Sequence, residues 1–229
     1  MEDDNRESSV RGTSAFVVVF LVLWVGAWLL HAALNGGFQN VPLAGDLYAD
    51  TLFWMTMKAF IWVLFPFLYF KDRFSHPASW IGLSRAELGR GLRYGLVLSG
   101  VWVALSLLAA LIAHQHLGPP NKPWPVVLYA AVYTPLVEEW VFRGHVQGHL
   151  MAAGKRFWQA NIMTTVCFVL PHLVGWSFQG VLRQQVLSIG VVGVILISLY
   201  LGYVRQTSRS LLGSTIVHSA NNFLSLFLR

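Results

Sequence analysis

Apolar residues in this chain cluster in long blocks separated by short polar breaks, with little alternation of single positions inside a block. Seven blocks, at 15–34, 52–70, 94–113, 126–146, 157–176, 186–203 and 211–228, each approach the roughly 20 residues a helix needs to cross a hydrocarbon core of about 30 Å. They predict an all-α fold: a polytopic integral membrane bundle of about seven transmembrane helices. Gly36, Gly37 and Pro42 break the chain after the first block, and Pro119, Pro120, Pro123 and Pro125 separate the third from the fourth. Residues 1–13 are polar, mixed in charge and without periodicity, which predicts a disordered cytoplasmic tail; 14–229 then form a single transmembrane domain. In 71–93, Trp80, Ile81 and Leu83 precede Ser84-Arg85-Ala86-Glu87, the pattern of an interfacial stretch leading into a capped helix.

Composition reinforces the membrane reading. Of 229 residues 55% are hydrophobic and 11% charged, with 10 Trp and 15 Phe, too apolar a mixture for the surface of a soluble domain. The net charge of +6 does not imply a nucleic-acid partner, because the basic residues form neither a run nor an aromatic-interleaved patch. They sit between the blocks. Strict alternation of seven spans puts Arg6, Arg11, Lys71, Arg73, Arg85, Arg90, Arg93, Lys155, Arg156, Arg205 and Arg209 on one side, and only Lys122, Arg183 and Arg229 on the other. The positive-inside rule then places the N-terminus in the cytoplasm, and the compact chain fits a prokaryotic cytoplasmic membrane. The first block lacks a small-residue cleavage site and is expected to be retained. Cys167 is the one cysteine and reads as core.

Ionisable and amide groups inside the blocks carry the candidate chemistry, because a charge in hydrocarbon is costly without a partner. Glu139 and Arg143 are four apart, acid before base, and form a self-neutralising pair on one helix face. Glu138 points about 100° away and has no basic residue three or four positions off, which makes it the candidate base. His172 follows Pro171, a residue that can kink the helix there. A hairpin turning near Gly154 and Lys155 would set Glu138 and His172 level within about 3 Å, at 1.5 Å rise per residue. His218 and Asn222 share a face and could form an oxyanion hole, with Asn221 left as packing. Lys58 is expected to snorkel from near a helix end. Each cluster has a plainer reading as interhelical glue.

Glu138-Glu139-Trp140-Val141-Phe142-Arg143, Phe168-Val169-Leu170-Pro171-His172 and His218-Ser219-Ala220-Asn221-Asn222 together resemble the family of CAAX proteases and bacteriocin-processing enzymes, with its EExxxR, FxxxH and HxxxN motifs. The resemblance covers about 125–228, with an extra span between the second and third motifs. It implies an intramembrane glutamic endopeptidase. Glu138 and His172 would activate a water, His218 and Asn222 would stabilise the oxyanion, and Glu139 and Arg143 would support the site. The implied partners are the bilayer and a membrane-anchored protein or peptide cut near its C-terminus, and no cofactor is needed.

Three alternatives stand beside it. Zinc could be bound by Glu138, His172 and His218. His145 and His149, at helical spacing below Glu138, offer another zinc stripe, although their place near a span end needs no special explanation. A non-catalytic scaffold or a transporter would also use buried polar groups, but no internal repeat supports the latter. A serine protease at Ser177 is weakest, since that residue sits at a span end and lacks a following glycine.

Overall fold

The computed structural model describes residues 2–37, 42–71, 82, 84–120 and 122–228. Trp80, Ile81 and Leu83 of the expected interfacial stretch lie outside the described residues. Among the described residues the protein is helical, with a lone antiparallel bridge between Leu117 and Leu228. We number the helices α1 (Glu2–Leu34), α2 (Leu47–Phe70), α3 (Arg85–Ile112), α4 (124–152), α5 (Phe157–Phe178), α6 (Leu182–Leu187), α7 (Gly190–Ser208) and α8 (Leu211–Ser225).

All seven apolar blocks are helical, but among the described residues five helices are long and apolar enough to cross a membrane: α1 from Arg11, α2, α3, α5 and α7. The other two differ in kind. α8 has 15 residues, about 22 Å at 1.5 Å per residue, short of a hydrocarbon core of about 30 Å. α4 holds the acidic pair and is buried along most of 137–150, while Trp124, Leu128, Val132 and Leu136 of its first half are exposed. α1 begins inside the polar stretch expected to be a tail; extending a formed helix by a turn costs far less than nucleating one.

Two helices are widened where prolines dictate it. Pro66 and Pro135 lack an N–H and crowd the carbonyl four residues back, and each follows a π-helical segment, Ala59–Leu64 in α2 and Tyr129–Tyr133 in α4. A third π segment, Trp140–Gln147, has the His145 ring donating from Nδ1 to the Trp140 carbonyl at 2.8 Å. α5, by contrast, runs through Pro171 as one helix. Ser84 caps α3 as its sequence predicts, its N–H and hydroxyl donating to Glu87 Oε2 at 3.1 and 2.6 Å.

An aromatic wall joins α1, α2, α4 and α5. Phe16, Phe20 and Trp24 of α1 pack with Trp54, Trp62 and Phe70 of α2 and with Phe142 and Phe168 behind them. Ring centroids lie 5.1 Å apart for Trp24–Trp62, 5.6 Å for Trp62–Phe142 and 5.0 Å for Phe142–Phe168. Trp24 Nε1 also donates to the Pro171 carbonyl at 3.2 Å, fixing α1 against the turn that carries His172. The outer faces are apolar, with Val18, Val22, Leu52, Phe60, Leu96 and Val97 exposed, as hydrocarbon requires.

α3 and α8 approach closely because glycine lines the contact, as small residues do between membrane helices. A Cβ on Gly95 would stand 3.0 Å from Ile216 Cδ1 and 3.2 Å from Gly213 Cα. Gly95→Leu is therefore expected to lower stability by about 1–3 kcal/mol through overpacking, read as a lower melting temperature in detergent. A protein melting like the wild type would show that the helices separate freely here.

Candidate active site

Glu138 and Glu139 leave α4 about 100° apart, and the bundle gives each a separate set of partners. Glu138 Oε1 accepts a hydrogen bond from Lys58 Nζ at 3.1 Å, and its Oε2 stands 3.7 Å from His218 Nε2. Glu139 Oε1 accepts from Arg143 Nη1 and from His218 Nδ1, both at 2.9 Å. Both carboxylates are buried.

Lys58 does not snorkel. It is buried at the last α-helical position of α2 before the π segment, donates to Thr134 Oγ1 at 3.2 Å as well as to Glu138, and lies 5.1 Å from the Trp62 ring centre and 5.8 Å from that of Tyr129. The partner that Glu138 lacks on its own helix is thus supplied 80 residues away. Sequence reasoning missed this pairing, although the rule that a charge inside a span needs a partner applied to Lys58 as much as to Arg143.

Lys58, Glu138 and His172 line one cavity of ≈160 Å³ together with Trp24, Trp62, Pro171, Gly175, Trp176 and Gln179. The expected meeting of Glu138 with His172 across the α4–α5 hairpin is therefore observed, and Gly154 turns the hairpin with φ +80°. The lining reaches Gln179, at the end of α5 opposite the basic Lys155–Arg156 turn. His172 donates from Nδ1 to the Phe168 carbonyl at 2.8 Å; a carbonyl can only accept, so the neutral ring keeps its lone pair on Nε2.

His218 bridges the two carboxylates. With Nδ1 bound to Glu139, its Nε2 faces Glu138 Oε2 at 3.7 Å, so that one carboxylate orients the imidazole beside the other. Asn222 lies a turn beyond and does not line the cavity. Its Nδ2 donates to the Ala130 carbonyl and its Oδ1 accepts from Asn221 Nδ2, both at 3.1 Å, while Trp102 Nε1 donates to Asn221 Oδ1 at 2.9 Å. Asn221, read from sequence as packing, is thus part of the hydrogen-bond chain that holds Asn222.

Arg143 anchors the far side. Its Nη2 donates to Ser198 O and Oγ, both at 2.8 Å, and its guanidinium sits 4.6 Å from the Phe168 ring centre. It ties α4 to α5 and α7 while holding Glu139.

Among the described residues no group of three His, Cys, Asp or Glu is placed to hold a metal, and Glu138 Oε1 already meets an ammonium cation. The His145 and His149 stripe fails for a geometric reason: the π segment turns less per residue than an α-helix, so His145 leaves the face of Glu138. Both histidines are buried against Phe70, with ring centroids 5.4 and 5.2 Å away.

Residues 120–224 match the family model for type II CAAX prenyl endopeptidase, Rce1-like. The match covers just under half of the chain and includes all three motifs, whereas Lys58 falls outside it. No curated protein and no solved structure matches the chain. The family is one of proteases, and the apolar helices make the chain an integral membrane protein. The segment that carries Glu138, His172, His218 and Asn222 is similar to the Rce1-like family of type II CAAX prenyl endopeptidases, in agreement with the resemblance of its three motifs.

Proposed function

We propose that the protein is an intramembrane endopeptidase that hydrolyses a peptide bond near the C-terminus of a membrane-associated protein or peptide, with Glu138 and His172 activating the attacking water. The observation that carries this reading is their convergence on one cavity, with the His172 lone pair left on Nε2. A volume of ≈160 Å³ admits a few waters at about 30 Å³ each beside both groups.

In the first step a water oxygen forms a bond to the scissile carbonyl carbon, the carbonyl π pair moves to oxygen, and the water proton passes to Glu138. Oε2 is the suitable acceptor, since Oε1 is bound to Lys58. In the second step the C–N bond breaks and the amine leaves with the proton that Glu138 took up, His172 Nε2 serving as the neighbouring proton acceptor and donor. No serine or cysteine nucleophile is required. Glu139 and Arg143 act from outside the cavity, holding His218 and α4 in place.

A hydrophobic or lipid-anchored substrate is supported by a second cavity of ≈420 Å³, almost wholly apolar, on another face of α4. It is lined by Val63, Tyr133, Leu136, Val137, Trp140 and Leu211, among others. Val137 adjoins Glu138 in sequence, so a hydrocarbon chain seated there would lie beside the reacting helix turn. The family description, prenyl endopeptidase, agrees with that chemistry.

The test is cleavage of a library of membrane-anchored C-terminal peptides, isoprenylated and not, by protein purified into lipid, with products read by mass spectrometry. Wild type should generate a new C-terminus, faster on isoprenylated peptides, and His172→Ala should lose about 10²-fold or more. Equal cleavage by both proteins, or none by either, would leave the scaffold and transporter readings standing.

A further inference from the structure

We propose that Lys58 is a catalytic residue of this protein: its ammonium is the donor that stabilises the tetrahedral oxyanion. The proposal rests on the hydrolase reading above and adds a group from α2, outside the family-matched segment.

Position comes first. Lys58 lines the same cavity as Glu138 and His172, so its charge faces the space where a scissile carbonyl must sit. Two of its three N–H bonds are used, on Glu138 Oε1 at 3.1 Å and Thr134 Oγ1 at 3.2 Å, and the third has no hydrogen-bond acceptor among the described residues.

The other candidate donors are committed. Asn222 Nδ2 is bound to the Ala130 carbonyl and lies off the cavity lining. His218 gives its Nδ1 hydrogen to Glu139 and does not line the cavity. Of the side chains that line the cavity, Lys58 is the one lysine or arginine.

Charge balance supplies the catalytic argument. Before reaction the ammonium is matched by the Glu138 carboxylate. When Glu138 takes the water proton, that match is lost as an equal negative charge develops on the substrate oxygen, a short distance away in the same cavity. The Lys58–Glu138 pair is thereby exchanged for a Lys58–oxyanion pair and the net charge of the buried site stays constant. A cation whose best partner forms only as the transition state does lowers the barrier rather than merely binding substrate. The Trp62 and Tyr129 rings hold the ammonium while the exchange takes place.

The experiment uses full-length protein in lipid and a phosphonamidate analogue of the best-cleaved peptide, which carries a tetrahedral anion at the scissile position. Glu138→Gln is compared with the double variant Lys58→Met/Glu138→Gln, in which both buried charges are gone and folding is protected. Analogue affinity should fall about 10²–10³-fold in the double variant while affinity for the parent peptide stays the same. In a Cys167→Ala background, Lys58→Cys should have a kcat lowered by a similar factor with KM little changed, and aminoethylation of the new thiol should restore turnover. Equal analogue affinity with and without Lys58, or a folded, aminoethylated protein that stays inactive, would overturn the proposal while wild-type cleavage persists. Wild type that neither cleaves peptides nor binds the analogue would overturn the hydrolase reading itself.

Discussion

Glu138→Gln should reduce peptide cleavage by about 10²–10⁴-fold, the range expected when a general base is removed. The substitution keeps the side chain's shape and leaves an amide oxygen where Oε1 accepts from Lys58, so the cavity stays formed. It removes the one property the reaction needs, an oxygen that can take a proton from water. Stability should fall by only about 1–3 kcal/mol, because Lys58 retains Thr134, the amide and two ring faces. Glu139→Gln provides the contrast. Glu139 lies outside the cavity and is bonded to Arg143 and His218, so its loss should cost more stability and less turnover. Rates measured alongside melting curves separate the two carboxylates, and equal activity losses in both variants would contradict the division of roles.

Arg143→Met should be among the most destabilising single changes in the protein. Arg143 is 1% exposed, bonds Glu139 and both Ser198 oxygens, and lies over Phe168, so its removal leaves the fully buried Glu139 carboxylate with His218 alone. Breaking one side of a buried pair typically costs about 3–5 kcal/mol. The double variant Arg143→Met/Glu139→Gln removes both charges and should recover a large part of that loss, as a melting series in one detergent would show. A single variant that melts with the wild type would mean that water or another group satisfies Glu139.

The helical membrane fold was legible because bilayer thickness imposes a block length that any reader can count. All seven blocks are helices, yet block length alone could not tell α8, 15 residues long, or the half-buried α4 from the five that, among the described residues, are long and apolar enough to span. The Glu139–Arg143 pair was legible because i to i+4 contacts are local, and the meeting of Glu138 with His172 because a hairpin converts sequence distance from a turn into depth. The Lys58–Glu138 contact was not, since it joins helices 80 residues apart and no periodicity encodes which helix faces which. The false stripe of Glu138, His145 and His149 arose from a 3.6-residue period that the π segment of α4 does not keep. Asn222 was placed correctly on the face of His218, but its bonds to Ala130 and Asn221 depend on neighbours that sequence spacing cannot reveal.

The measurement that bears most directly on a side-chain mechanism is cleavage of one membrane-anchored peptide by wild type in lipid, before and after exhaustive chelation, with Glu138→Gln as the blank. Hydrolysis by Glu138 and His172 requires the wild-type rate to persist in chelator and the blank to stay inactive. Activity abolished by chelator and restored by zinc would contradict it, and would place a metal where Lys58 now meets Glu138.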